Sequence, residues 1–367
     1  MLIYIYKMPG VSNKSKTLRR KPRAKKNTRR VTKKKGGMNI SDLNVLPPDI
    51  TRSIQGFVKP ALTNTTIRVA VRGYLAGGKD KEKVVSKYGD ISNWDVSKVT
   101  DMSRIFEYAQ KFNQSLNNWD VSSVTTMNFM FYSATDFNQT LNNWDVSKVT
   151  DMSRIFEYAQ KFNQSLNNWD VSSVTNMSYM FYSATDFNQT LNNWDVSNVT
   201  NMRGMFADAE HFNQPLDKWD VSNVTNMSYM FDGASDFNQP LNNWDVSKVT
   251  DMSYMFEGAT NFNQSLDNWD VSKVTDMSWM FRSAVNFNQP LNKWDVSKVT
   301  DMSYMFDGAS DFNQSLNNWD VSKLTDMSWM FRSAVNFNRD FAPNKNPDPK
   351  PDPKPKKKKR SFFGYFW

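Results

Sequence analysis

The chain has 367 residues, 39% of them hydrophobic, with no Cys, one His and a formal net charge of +9. Without cysteine there are no disulfides, thiolate metal sites or thiol nucleophiles. The charge is unevenly divided: residues 1–40 carry fourteen Lys and Arg and no acid, residues 344–367 carry eight bases and two acids, and the stretch between them is net acidic.

Met1–Lys7 is apolar over too short a run to span a membrane or form a signal core. The basic run after it is expected to be disordered, because almost nothing in it is apolar. Its cations are Arg19, Arg20, Lys21, Arg23, Lys25 and Lys26, then Arg29, Arg30, Lys33, Lys34 and Lys35. Such a run contacts polyanions, through nucleic-acid phosphates or as a nuclear-import signal, or serves only to solubilise. No aromatic residue interleaves it, so base stacking is not expected.

Leu46-Pro47-Pro48-Asp49-Ile50 opens an amphipathic pattern through Ile54, Phe57 and Val58. The stretch resembles the opening of an F-box, which would imply docking to a ubiquitin-ligase adaptor; a plain capping helix is the other reading. Asn64–Leu75 reads as a helix ended by Gly77-Gly78, with a further short helix over Lys79–Lys87. Residues 41–93 are thus expected to be a helical cap on the N-terminal side of a repeat array.

Trp94 opens the first of ten copies, and Trp119, Trp144, Trp169, Trp194, Trp219, Trp244, Trp269, Trp294 and Trp319 open the others, always 25 residues apart. A fixed period of this size marks a solenoid, and is too short for a propeller blade. Within one copy, Met252, Met255, Phe256 and Ala259 follow helical spacing, with Thr250 as N-cap and Gly258 near the end. This predicts a two-turn helix. Leu266–Val271 alternates and predicts a short strand, stacked in parallel about 4.8 Å from its neighbours. The Phe262-Asn263-Gln264 corner predicts an amide ladder between turns. The expected fold is an α/β solenoid of about ten turns, each with a short parallel strand and a short helix.

The string NWDVSxVTxMSxMFxxAxxFNQxL resembles the repeat of BspA-type leucine-rich-repeat surface proteins of mycoplasmas, other bacteria and large DNA viruses. The resemblance covers about Asp90–Pro343. It implies a leucine-rich-repeat-like solenoid used for protein–protein contact and, in bacteria, surface display.

Trp94–Asn118 is identical to Trp144–Asn168, and the two copies after these differ only at Thr126/Asn176, Asn128/Ser178 and Phe129/Tyr179. A duplicated block means an adjustable number of turns, which suits a binding rod or spacer. Lys and Asp three apart, as in Lys248/Asp251, are lost together where they are lost, which predicts surface ion pairs at the helix entry. The Asp after each Trp, such as Asp95 or Asp245, has a Ser two residues on and predicts a side-chain turn. The repeat lacks the glycine-rich loop of calcium-binding nonapeptides, so no metal is expected. The most informative column reads Arg104, Phe129, Arg154, Tyr179, Gly204, Tyr229, Tyr254, Trp279, Tyr304, Trp329. It predicts either lateral packing or an exposed protein-binding strip, tuned by Asp232, Glu257, Arg282, Asp307 and Arg332. No catalytic or cofactor motif is found, and His211 lies in a variable column.

After Pro343 comes a proline-spaced linker, then Lys356, Lys357, Lys358, Lys359 and Arg360 beside the aromatic end Ser361–Trp367. This end could meet an anionic membrane, dock on another protein or fold back on the uncapped last turn. The expected organisation is a basic tail over 1–40, a cap over 41–93, the solenoid over 94–343 and a linker with aromatic tail over 344–367. The expected function is a non-enzymatic protein-binding scaffold without cofactor, placed inside the cell or in a virion. The alternatives are a tether whose tails hold nucleic acid or membrane, and the F-box-like adaptor.

Overall fold

A computed structural model describes residues 59–343. The basic tail, the Leu46–Val58 motif and the segment from Asn344 to Trp367 lie outside these residues.

Helix α1 (Asn64–Ala76) and helix α2 (Gly78–Tyr88) precede the repeats. Thr63 caps α1 through a reciprocal bond with Thr66, and Gly77, at φ 74°, separates the helices. Ile67, Ala70, Val71 and Tyr74 form the buried face of α1. Tyr74 meets the Trp94 ring edge-on at 5.8 Å. The side chain of Asn64 imitates a missing turn: its Oδ1 accepts from the N–H groups of Thr100 and Asp101, and its Nδ2 donates to Thr100 Oγ1.

From Trp94 onward the chain is a repeat solenoid. The predicted helix does not form in any turn. Over Met252–Phe262 the backbone is a run of overlapping β-turns: Met255, Glu257, Ala259 and Phe262 each donate to the carbonyl three residues back. The alternate N–H groups leave the turn altogether. Met252, Tyr254, Phe256 and Gly258 donate to Asp276, Ser278, Met280 and Arg282 of the next turn, at 2.8–3.0 Å. Two residues of each run are left-handed, here Tyr254 at φ 60° and Gly258 at φ 66°. They occupy the second central position of type II turns, which requires positive φ. Helical spacing and this spiral bury nearly the same residues, so the apolar pattern does not separate them. The helix loses because the neighbouring turn offers a matched row of carbonyls to alternate amides, which bonds internal to a helix would forgo.

The predicted strand at Leu266–Val271 is likewise not formed. Parallel pairing runs instead as single bridges through Asp251↔Asp276, Asp276↔Asp301 and their equivalents. At the Trp column, among the described residues, no Trp backbone group bonds to a residue one repeat away. Equivalent indoles stack at 6.1–6.5 Å with nearly parallel planes. There the link is a side chain: Trp269 Nε1 donates to the Leu241 carbonyl at 3.0 Å, and this bond recurs up the stack.

The core is one continuous column. In the turn beginning at Trp244, the side chains of Val246, Val249, Met252, Met255, Phe256, Ala259, Phe262 and Leu266 are all buried. Phe256 stacks on Phe262 at 4.1 Å within the turn and on Phe281 at 5.6 Å between turns. Each such phenyl contributes roughly 1.5–3 kcal/mol of burial. The turns are thus joined by backbone bridges on the Asp251 side and by indole N–H bonds on the Trp side.

The amide ladder at the corner is present. Asn238 Oδ1 accepts from the N–H of Asn263 at 3.0 Å and from Gln264 Nε2 at 2.9 Å, and the pair repeats from Asn113 to Asn288.

Candidate functional site

The column that begins at Arg104 and ends at Trp329 is built by the backbone before its side chains are considered. Every member has a φ between 57° and 64°. A left-handed residue at a turn corner throws its side chain sideways off the turn, beside the bridged edge, where it meets its equivalent in the next copy. Arg104, Phe129, Arg154 and Tyr179 alternate cation and ring, with guanidinium-to-ring distances of 3.9 Å (Arg104–Phe129) and 4.3 Å (Arg154–Tyr179). Gly204 would break the series. Its neighbour Arg203, which stands where other turns have Ser or Asn, fills the gap: it lies 4.9 Å from the Tyr229 ring, and its Nε donates to Tyr179 Oη at 2.6 Å. Beyond it the column is all aromatic. Tyr229–Tyr254, Tyr254–Trp279, Trp279–Tyr304 and Tyr304–Trp329 stack at 4.4, 5.2, 4.5 and 6.5 Å.

The aromatic side chains from Phe129 to Trp329 are half-buried. Lateral packing and exposure therefore hold together: each ring covers one face with its neighbour and leaves an edge to solvent. Alongside runs a ladder of alternating charge. Arg282 pairs with Glu257 and with Asp307 (3.3 Å), and Arg332 pairs with Asp307 at 2.6 Å. Both arginines also lie over rings of the column, Arg282 over Trp279 at 4.5 Å and Arg332 over Tyr304 at 5.3 Å. Asp307 is buried between them.

A second aromatic feature was not expected from the repeat pattern. Tyr108, Tyr132, Tyr158 and Tyr182 zigzag between two neighbouring columns at 5.1–5.7 Å. The available signal was tyrosine at steps of 24 and 26 residues, alternating about the period. Glu157 lies beside them, only 3% exposed, with Arg154 at 2.8 Å. Burial pushes its carboxyl up to about 7, and Arg154 only partly offsets this. Burial first, then Glu157 and the flanking tyrosines, pushes the Tyr132 phenol up to about 12.

The other predicted columns have structural employment. Asp245 Oδ1 accepts from the N–H of Ser247 at 3.0 Å, and Asp145 and Asp195 are bonded likewise to Ser147 and Ser197. The serine hydroxyl and N–H hold these carboxyls below the usual range. The predicted Lys–Asp ion pairs are not found among the described residues. Asp101 pairs with Arg68 of α1 at 2.9 Å, Lys248 donates to Asn223 Oδ1, and Asp251 accepts from the N–H and hydroxyl of Ser253. The serine two residues on holds these carboxylates instead, as Ser253 holds Asp251 and Ser278 holds Asp276. Burial raises the Asp276 carboxyl, and its neighbours Asp251 and Asp301 add to this. His211 pairs with Asp236 at 3.0 Å on the surface. Among the described residues no three His, Asp or Glu side chains gather as metal ligands, and no helix is long and apolar enough to cross a membrane.

A family model described as "Mycoplasma protein of unknown function, DUF285" matches residues 80–191, 164–268 and 238–345. No curated protein matches. Among solved structures, a chain of the Toll–Spatzle complex of Drosophila is 12% identical, with a TM-score of 0.21, over 60% of this chain and 35% of that one. A chain of the TLR13–ssRNA13 complex is 9% identical, with a TM-score of 0.20, over 66% and 48%. The chain thus spans between about a third and a half of the length of these two.

Proposed function

The chain belongs to the DUF285 repeat family, and on that premise we propose that it is a non-enzymatic, protein-binding solenoid, of the leucine-rich-repeat-like kind that the BspA-type resemblance implies. The observation that carries this reading is the unbroken column from Phe129 to Trp329. Half-exposed Tyr, Trp and Arg dominate binding hot spots, and here they lie in register beside the bridged edge of the stack. The repeated Asp, Ser, Asn and Thr side chains are spent on turns and ladders, which leaves recognition to the column and its charged flank. The tails supply polyanion contact or localisation in this reading. A tether that uses the solenoid as a spacer is the second reading, favoured by the duplicated block Trp94–Asn143.

The test is capture of partners from host-cell lysate by the full chain and by a variant with Tyr254, Trp279, Tyr304 and Trp329 changed to Asn. Asn is the suitable replacement because it tolerates a left-handed backbone. A partner held by the parent and lost by the variant, with unchanged circular dichroism, supports the reading. A partner held equally by both removes the column from it, and no partner on either moves the weight to the tether.

A further inference from the structure

The stack ends on an unusual edge. In every inner turn four alternate N–H groups donate to carbonyls 24 residues further on; from the turn at Trp294 these are Met302→Asp326, Tyr304→Ser328, Phe306→Met330 and Gly308→Arg332. In the last turn the same four groups belong to Met327, Trp329, Phe331 and Ser333, and among the described residues nothing accepts from them. The carbonyls of the same peptide units point the other way, into the preceding turn. This edge is a row of donors, and a chain laid along it must supply an acceptor at every second residue and needs no donors. Apolar side chains also surface here: Val335 is 77% exposed, and Met327 and Leu324 are half-buried where their equivalents are buried.

The sequence just beyond Pro343 has that property. Prolines stand at every second position from Pro347 to Pro355. Proline has a carbonyl and no N–H. On a continued 24-residue offset, Met327, Trp329 and Phe331 would meet the carbonyls of Pro351, Pro353 and Pro355, and Ser333 that of Lys357. In the turn geometry of the inner copies, position 353 is a first central position of a β-turn, where the fixed φ of proline fits, and at position 355 proline forgoes the one turn bond that Met255 donates to Met252. A second copy docking by the same end would set donors against donors. The described chain ends at Pro343, two residues after Phe341, whose carbonyl accepts from the Leu316 N–H at 2.9 Å, so little loop has to be closed.

We propose that residues 351–357 of this chain lie along the open edge of the last turn and close the ladder as a proline-built cap. The inference is independent of any partner for the aromatic column. It is tested by amide hydrogen exchange on the full chain. The amides of Met327, Trp329, Phe331 and Ser333 are expected to exchange at least about tenfold more slowly in the full chain than in a chain ending at Pro343. Met302, Tyr304 and Phe306 report whether the inner turns remain intact. One glycine inserted after Asn346 moves every proline out of phase and abolishes the protection; two glycines restore it. Equal exchange in the full and shortened chains overturns the proposal, as does protection that survives the single insertion. Protection that grows with protein concentration and survives the truncation also overturns it, and assigns the edge to a second copy.

Discussion

Glu157 shows how far one turn can depart from its copies. Glu107 and Glu257 stand at the same position and Tyr182, Ala207, Asp232 and Arg282 at others, yet only here is the glutamate carboxyl 3% exposed, beside Tyr132, Tyr158 and Tyr182 with one arginine. Its folded value of about 7 stands above the unperturbed 4.5. The folded chain therefore binds this proton more tightly than the unfolded chain. The stability that results is complete below about pH 4.5, declines above it, and is gone as the pH passes through about 7. Glu157→Gln removes the titration. Denaturant unfolding of both proteins from pH 4.5 to 8 should show the parent losing about 1–3 kcal/mol relative to the variant. Parallel curves would place the proton elsewhere.

At the scale of the turn, left-handed corners and stacking depend on each other. An aromatic residue at positive φ costs on the order of 1–2 kcal/mol, and ring contact with the next turn offsets it. Gly204 has no such cost, but its space is taken: a Cβ there would lie 2.5 Å from the Tyr179 ring. Gly204→Ala should lose about 2–4 kcal/mol, from left-handed strain and the clash together. In a Tyr179→Ala background the same change should cost only about 1–2 kcal/mol, because the clash is gone. Denaturation midpoints of the four proteins give the coupling; equal costs in both backgrounds would mean that the ring moves aside freely.

For the whole stack, stability is close to a sum over turns and their interfaces. Deleting Trp94–Asn143 removes two turns and joins the cap to Trp144. The cap keeps its contacts in kind, because Thr150, Asp151 and Ser153 replace Thr100, Asp101 and Ser103. The shortened chain should fold, with a lower denaturant m-value in proportion to its length. Small-angle scattering should show a contour shorter by roughly 10 Å, two spacings of a parallel ladder. Loss of folding would show that the block has a specific role and is not a spacer.

Register, the membership of the core and the corner ladder were legible in the sequence, because each stems from one residue type returning every 25 positions. A buried Phe or an Asn amide must be satisfied in the same way at each return. The local backbone was not legible. Met252, Met255, Phe256 and Ala259 suit a helix or a turn spiral equally well, and the choice rests on carbonyls that only the next turn supplies. Glycine at Gly204, Gly233, Gly258 and Gly308 was the trace of positive φ, hidden by the aromatics that share one of those columns. Tertiary stacking alone decided that these corners are left-handed, since only the neighbouring ring repays an aromatic side chain for standing there.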